Sequence, residues 1–422
     1  MPTLWRNRDF VTLFSAQAIS LAGSGVTTVA LALLVHRIAG PATATTVLGQ
    51  ALMLRIAAFL LFSQPAGVLA DRVNRKYVLI ASDLIRLVLM GAFPFITTIW
   101  QVYAAVFTVN CLTAFFTPAF DASLPDVAGR DHYVQALSYS RIAVDVEAIA
   151  GPAVAAILVA LVGLQWVFWF DAATYLLSAL LVVTVHLPGP RMDAEPLALG
   201  VLWRDLTHGV RVLVRESSIR QALTMAMAEA LAGACVIVVT VVYVRDILHA
   251  SEADFSLIMM CAGLGSTAAA IVLGQVTARM ERRAAGDAVR HGLRHRWATA
   301  AVLSGGIVLA ASLISGWFTP PLGVLGFLWA LNGAGQALIA IPSSTLVASH
   351  TGRDERGRAF AAQFAITHAC WLITYPLTGH LAGALGPGRT FGYCGFACLG
   401  ITGAAVAMRG ETKPHRHSGL EE

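Results

Sequence analysis

Long apolar stretches alternate with short polar connections along the whole chain. Twelve stretches reach or approach the roughly 20 apolar residues that a helix needs to cross a lipid bilayer. The pattern therefore predicts an all-α membrane protein with twelve transmembrane helices. The predicted spans are residues 10–36, 45–69, 77–96, 100–120, 136–161, 164–186, 221–244, 255–277, 297–315, 322–349, 359–385 and 390–408.

The composition also indicates a lipid environment. Only 13% of the residues are charged, against about 25% in soluble domains, so most side chains should face lipid or other parts of the protein. The net charge is +5, but the cations lie mainly in the connections between apolar stretches. They are topology signals rather than a phosphate-binding face, so we expect the lipid bilayer as a partner and no nucleic acid.

Arginine marks alternate connections. The N-terminus, the connections that follow the even-numbered spans and the C-terminal tail are basic, whereas the other connections hold only Arg37, Arg245 and Arg389. By the positive-inside rule, we expect both termini in the cytoplasm.

The longest connection, residues 187–220, is the predicted linker between two halves. It begins with Pro188, Pro190 and Pro196, after which apolar residues recur at helical spacing with Arg and Asp between them. This pattern predicts an amphipathic helix on the cytoplasmic membrane surface. The predicted units are an N-terminal half (1–186), the linker (187–220), a C-terminal half (221–408) and a cytoplasmic tail (409–422).

Two short motifs occur twice. We interpret Gly67–Lys76 as a glycine-led turn between spans 2 and 3, and a related stretch, Gly274–Arg283, follows 207 positions later. Gly129-Arg130-Asp131 precedes span 5, and Gly352-Arg353-Asp354 precedes span 11. The repeats predict two pseudo-symmetric halves of six helices around a central site, as in many secondary transporters.

These motifs resemble a known family. Gly67–Lys76 resembles the loop 2–3 signature of the major facilitator superfamily, and Gly151-Pro152 in span 5 resembles its antiporter motif. Phe170–Ala179 is similar to span 6 of the drug/proton antiporter branch, of the macrolide- and siderophore-exporter type. Within that branch, Ser140–Glu147 and Phe364–Trp371 look like the nickel-resistance permeases.

The resemblance implies a monomeric secondary exporter of the bacterial inner membrane that exchanges its substrate for protons by alternating access. It favours a divalent transition metal such as nickel as the substrate, and the alternative substrate is an amphipathic drug or siderophore. A non-transporting sensor or scaffold on the same fold is the competing interpretation of another class. The residues that match the gating motif are Gly67, Asp71, Arg72, Arg75 and Lys76.

Two charged residues in span 3 extend this gating set. Asp83 and Arg86 are one helical turn apart, within reach of each other, and lie about two turns from the connection that carries Asp71 and Arg72. We expect a local charge network with a gating role rather than contact with the substrate.

Carboxyl groups inside spans are candidates for proton coupling or substrate binding, because ionisable groups are costly in the bilayer. The candidates are Glu147 and Asp145 in span 5, Asp171 in span 6 and Glu229 in span 7. Asp145 and Glu147 are two residues apart and diverge by about 200° on a helix, so they cannot face the same partner. The alternative for Glu147 is a structural ion pair, for example with Arg55, and the alternative for Asp171 is a structural role.

His368 should lie near the middle of span 11. Neutral imidazole binds divalent cations, so His368 together with Glu147 and Glu229 would form a mixed nitrogen and oxygen site for nickel, cobalt, zinc or iron. The alternative is a hydrogen-bonded structural histidine.

No glycine-rich run is followed by the Lys-Ser/Thr of a nucleotide-binding loop, and no nucleophile is paired with a base. We therefore expect neither an enzyme nor a cofactor, and an ion gradient as the energy source.

Overall fold

The computed structural model describes residues 4–129, 132–188, 199–283, 287–351 and 355–408, and these residues form no strand. They contain thirteen α-helices. The first six are α1 (Arg8–Ala39), α2 (Ala44–Arg72), α3 (Arg75–Ala92), α4 (Ile99–Ala128), α5 (Tyr133–Val162) and α6 (Leu164–Thr184). The others are α7 (Leu199–Arg215), α8 (Ser217–Val242), α9 (Glu252–Arg283), α10 (Asp287–Gly316), α11 (Leu322–His350), α12 (Arg356–Leu385) and α13 (Pro387–Ala407).

Twelve of these helices match the predicted spans. Ten are long and apolar enough to cross a membrane, namely all except α5, α7 and α12. The helices α5 and α12 have 30 residues each, about 45 Å at the α-helical rise, and pack among the other ten. Each is the fifth helix of its half, and each carries polar residues of the candidate site. The prediction of a twelve-helix membrane protein is confirmed.

The helices pack as two groups of six. In the first group, α1 packs against α5 and α6, and α4 lies between α2 and α3; in the second, α8 packs against α12 and α13, and α11 lies between α9 and α10. Between the groups, α2 packs along α12 and α5 along α9. These two contacts join the second helix of one half to the fifth helix of the other, which is the arrangement expected of pseudo-symmetric halves.

The linker helix α7 is docked on protein. Its residues Val212 and Leu213 are buried in a cluster with Val347, Ala359 and Ala362 of α11 and α12. His208 Nε2 lies 2.9 Å from a carboxylate oxygen of Glu355. The predicted helix is present, but this part of its apolar stripe contacts the second half rather than lipid.

Candidate transport pathway

The two halves are in close backbone contact at one face of the molecule. We call the face on which α1 begins and α2 ends the arginine-rich face, and the other the far face. Near the far face, a Cβ atom at Gly49 would lie 2.4 Å from the Tyr375 carbonyl oxygen, and one at Gly379 would lie 2.5 Å from that of Thr45. Thr45 Oγ1 also donates a hydrogen bond of 3.1 Å to the Gly379 carbonyl. Only glycine permits α2 and α12 to approach this closely.

Two polar contacts join the halves at the same face. Arg37, at the end of α1, donates two hydrogen bonds of 2.8 Å to the carboxylate of Glu252 in α9. His36 Nε2 lies 2.8 Å from Asp246, just after α8. The sequence interpretation missed both pairs, although Arg37 stands out in an otherwise arginine-poor set of connections. Together with the glycine contact, they close the far face.

A central cavity of about 540 Å³ lies between the halves. The first half contributes Thr28, Arg55 and Glu147 to its wall, and the second contributes Gln336, His368, Trp371 and Tyr375. Gln336 Nε2 donates to Asn332 Oδ1 at 2.9 Å, and Asn332 donates to Ser312 at 3.0 Å, so a polar network inside the second half ends at this wall.

A second cavity, which we call the vestibule, extends toward the arginine-rich face. Its volume is about 890 Å³, and Trp371 lines both it and the central cavity. The walls include Leu137 near the start of α5, Phe360 near the start of α12 and Ser344 near the end of α11. These helix ends lie at the arginine-rich face, so the pathway leads there while the far face is closed.

Glu229 of α8 lines the vestibule beside Phe364 and Trp371. It has no hydrogen bond or ion pair to any residue in the described part of the chain. An unpaired carboxyl group in a cavity with aromatic walls is suited to bind an organic cation, because the bound cation compensates the charge of the ionised form.

Glu147 lies where α5 crosses α1. A Cβ atom at Gly25 would lie 3.1 Å from Glu147 Oε1, and one at Gly151 would lie 2.7 Å from the Gly25 Cα atom. Gly151 therefore permits close contact between α1 and α5, and Pro152 lines the central cavity beside Glu147. The side chain of Asp145 lies outside the described residues.

The predicted metal site is not assembled. Glu147 and His368 line the central cavity, whereas Glu229 lines the vestibule. No group of three His, Cys, Asp or Glu side chains among the residues that the structure describes is placed to hold a metal ion. His368 Nδ1 donates to the Phe364 carbonyl at 2.9 Å, and its ring stacks on Phe364 at 3.7 Å between centroids. His368 therefore has the environment expected of a hydrogen-bonded structural histidine, which was the alternative to a metal ligand.

Asp83 and Arg86 form a buried pair inside the first half. Arg86 donates to Asp83 at 2.5 Å, and Ser178 of α6 donates to the other oxygen of Asp83 at 2.7 Å. The Arg86 guanidinium lies over the rings of Phe116 and Tyr175, at 4.5 and 4.4 Å from their centroids. The two residues are neighbours as predicted, and their gating role stays a prediction.

The gating motif is mostly helical. Residues 67–72 belong to α2, so the predicted glycine-led turn is wrong, and only Val73 and Asn74 separate α2 from α3. A glycine inside a helix costs only about 1 kcal/mol relative to alanine, and the turn is made instead where the Asn74 side chain caps the backbone N–H of Lys76. The side chains of Asp71 and Arg72 lie outside the described residues.

Arg75 and Lys76 of the motif bind within the first half. Arg75 donates to Asp126 at 2.7 Å and to the Ala122 carbonyl at 2.6 Å. Lys76 Nζ donates to the Val185 carbonyl at 2.9 Å. They therefore join the start of α3 to α4 and to the segment after α6.

Comparison with known proteins decides the family. A family model described as Major Facilitator Superfamily matches residues 13–286 and, in a second alignment, 222–422. The chain belongs to the major facilitator superfamily.

Several relatives in the superfamily have names that refer to efflux. The chain is 24% identical over 357 residues to the uncharacterized MFS-type transporter YfiS of Bacillus subtilis, covering 82% of this chain and 80% of YfiS. It is 24% identical over 382 residues to the multidrug efflux pump Tap of Mycolicibacterium fortuitum, covering 88% of both. It is 28% identical over 212 residues to macrolide efflux protein A of Streptococcus pyogenes, covering 48% of this chain and 51% of that protein.

Solved structures share the fold. The nucleoside transporter NupG superposes with a TM-score of 0.71 at 14% identity, covering 96% of this chain and 100% of NupG. A bacterial homologue of the human lysosomal transporter Spinster, in an inward-facing conformation, gives a TM-score of 0.68 at 14% identity and covers 97% of each chain. The protein is thus a multi-pass membrane transporter of the major facilitator fold.

We expect the ion pair between Arg37 and Glu252 to favour closure of the far face. An Arg37→Glu substitution should raise the ratio of open to closed far face by about two- to fivefold, because an exposed ion pair contributes up to about 1 kcal/mol. Electron–electron distance measurements between spin labels at the far ends of α1 and α9 would detect the shift. The double variant R37E/E252R should restore closure, and a double variant as open as R37E would contradict an ion-pair role.

A larger effect on closure is expected for Gly379→Leu, because the new side chain would meet the Thr45 carbonyl. We expect the far face to stay open and transport to be lost. Spin labels on α2 and α12 would report the separation of the helices. Gly400→Leu in α13 is the matched control, since a Cβ atom there meets nothing within 4 Å. Normal closure in G379L would show that the contact is not required.

Proposed function

We propose that this protein is a proton-coupled exporter of amphipathic organic cations, with macrolide-type drugs as the first class to test. The observation that carries the proposal is the unpaired carboxyl of Glu229 in a cavity with aromatic walls. The carboxylate binds the cationic group of the drug, and the apolar and aromatic walls accept its hydrophobic body.

The dimensions of the pathway fit this class of substrate. Pockets for drug-sized ligands measure about 300–1,000 Å³, and the vestibule has a volume of about 890 Å³. A bare metal ion would not require such a volume, and the residues predicted to bind one lie in two different cavities. Tap and macrolide efflux protein A, named for the efflux of drugs, support the same substrate class.

We assign export as the direction of transport because Tap and macrolide efflux protein A are named for efflux. The pathway leads to the arginine-rich face, which the positive-inside rule assigns to the cytoplasm. This state loads substrate from the cell interior. Opening of the far face, with separation of Arg37 from Glu252, then releases the substrate outside.

Glu147 is the proposed carrier of the exchanged proton. It lines the central cavity with Arg55, whose charge acts on it. When the far face opens, the carboxylate takes a proton from outside, and it releases this proton after the cavity turns to the cytoplasm. The energy therefore comes from the proton gradient, without nucleotide hydrolysis.

The test is drug susceptibility in a bacterial strain that lacks its own drug pumps. Expression of the chain should raise the inhibitory concentration of a cationic macrolide at least severalfold, and dissipating the proton gradient should abolish the effect. Graded nickel and cobalt form the second arm, in which we expect no change in tolerance. Resistance to the metals without resistance to any amphipathic drug would reverse the assignment of substrate.

A further inference from the structure

The second half forms a continuous wall along the vestibule and the central cavity. On its helices, residues nearer the arginine-rich face line the vestibule, and residues nearer the far face line the central cavity. On α8 the change falls between Glu229 and Gly233. On α11 it falls between Ala340 and Gln336. A smaller cavity of about 90 Å³, whose walls include Asp171, belongs to the first half alone and is not part of this wall.

Trp371 of α12 lies on the boundary between the two cavities. In the part of the chain that the structure describes, it is the one residue that lines both of them. Its ring is tilted against that of Tyr375, at 5.1 Å between centroids. The indole N–H of Trp371 has no hydrogen-bond partner among the described residues, whereas the fully buried Trp329 donates to Thr240 at 2.8 Å. The indole of Trp371 is therefore free to donate to a molecule in the pathway.

Gly233 of α8 provides the surface on which this indole lies. A Cβ atom at Gly233 would lie 2.2 Å from Cη2 of Trp371 and 3.0 Å from its Cζ3, so any larger residue would overlap the ring. Cη2 is the outermost atom of a side chain with two rotatable bonds, so the ring and not the backbone of α8 would give way. Glycine inside a helix costs about 1 kcal/mol relative to alanine, and here it permits the ring to lie against α8.

A displaced indole would narrow the pathway. Gln336 Oε1 lies 3.2 Å from the same Cβ position, and Tyr375 packs against the indole. Both neighbours restrict movement along α8, so the ring would move away from α8 and into the space between the cavities. Gly233 thus keeps the passage beside Trp371 open.

The indole also lies close to the proposed cation site. Gly233 is four residues after Glu229, so the two positions are neighbours on one face of α8. A cation bound to Glu229 therefore lies near the ring on Gly233, and an aromatic ring attracts a cation. The body of a large substrate that binds there must extend past Trp371 to enter the central cavity.

We propose that Trp371 determines which substrates the site accepts and that Gly233 is the residue that positions it. The substrate class is a large amphipathic cation that carries hydrogen-bond acceptors. Its cationic group binds Glu229, its body contacts the indole, and the remainder extends into the central cavity. With the indole on Gly233 the passage accepts a body of macrolide size, and with the indole displaced it accepts only small cations. The proposal rests on the export function proposed above, because the substrate binds in the same site.

Equilibrium binding of two radiolabelled probes to purified protein tests the selection by size. The probes are a cationic macrolide and the small cation benzyltrimethylammonium. Gly233→Ala should weaken macrolide binding about tenfold or more and change binding of the small cation less than about threefold. Gly403→Ala in α13 is the matched control, since a Cβ atom there meets nothing within 4 Å, and it should bind both probes normally.

The outcomes of this measurement are distinct. Unchanged macrolide binding in G233A would overturn the proposal, and so would an equal loss of both probes, because that loss would mean general damage to the site. A wild type that binds neither probe would instead refute the export function.

A double variant tests whether Gly233 acts through Trp371. Trp371→Ala removes the ring that the new methyl group would displace, and it should weaken binding of both probes because the indole contact is lost. In this background, Gly233→Ala should change macrolide binding by less than about twofold, which is complete coupling in a double-mutant cycle. An effect of G233A that is equal in both backgrounds would show that it acts through helix packing and would overturn the positioning role.

Fluorine NMR of protein labelled with fluorotryptophan follows the ring itself. The resonance that is absent from W371F belongs to Trp371. It should shift in G233A and keep its position in G403A. An unmoved resonance in G233A would show that the ring is not displaced and would overturn the proposal. This measurement needs no substrate, so it remains decisive if the export function fails.

Discussion

Replacing Glu229 with Gln is expected to weaken binding of a cationic drug by about 10- to 100-fold. The carboxylate has no partner among the described residues, so a bound cation supplies the opposite charge that the site lacks. A hydrogen bond to a charged group contributes about 1.5–3 kcal/mol, which corresponds to this range of affinity. Equilibrium binding of a radiolabelled macrolide to purified protein would measure the change.

Two controls separate charge recognition from general damage at Glu229. Glu216→Gln makes the same change at the start of α8, where the side chain accepts a hydrogen bond from Ser218 outside the cavity. It should leave binding unchanged. An uncharged drug of similar shape should bind wild type and E229Q equally. Equal losses for charged and uncharged drugs would mean that Glu229 shapes the cavity and does not bind the cation.

Replacing Glu147 with Gln is expected to uncouple transport from the proton gradient. The amide keeps the size of the side chain at the crossing of α1 and α5 but cannot carry the proton. We expect pH-driven uptake into inside-out vesicles to fall by about two orders of magnitude, within the range of proton-transfer contributions. Drug binding should stay nearly intact, because Glu229 in the other cavity is unchanged.

Exchange of labelled for unlabelled drug at equal pH is the internal control for E147Q, because exchange requires the conformational change but no net proton movement. Rapid exchange together with lost pH-driven uptake would establish an uncoupled transporter. If exchange were lost in parallel, the contact of Glu147 with α1 would be structural, and the proton would have to be carried elsewhere.

The membrane fold was predictable from the sequence because it depends on local properties. Apolar stretches of sufficient length must form helices in lipid, where every backbone polar group needs an internal partner. The helix ends were less predictable. The helix α4 continues to Ala128 and α9 to Arg283, past the predicted ends at 120 and 277, because helical hydrogen bonding continues after the apolar stretch has ended.

The candidate site was only partly predictable. Carboxyl groups inside spans are conspicuous because of their cost in lipid, and Glu147, Asp171 and Glu229 all lie beside cavities. Which of these residues line the same cavity could not be predicted from the sequence, because the rotation and depth of each helix depend on the helices packed against it. The metal hypothesis placed Glu147, Glu229 and His368 together, but packing left Glu147 and His368 in the central cavity and put Glu229 in the vestibule.

By itself, the sequence determined the twelve helices, the duplicated halves, the family and the acidic residues of the membrane interior, because length, repetition and charge are properties of the chain. Tertiary structure alone decided that Glu229 faces a vestibule with aromatic residues in its walls, that Asp171 lines a separate small cavity inside the first half and that the far face is closed. Each of these depends on contacts between residues more than 100 positions apart, such as Arg37 with Glu252 and Thr45 with Gly379. Such contacts are set by how whole helices pack, and no local pattern encodes them.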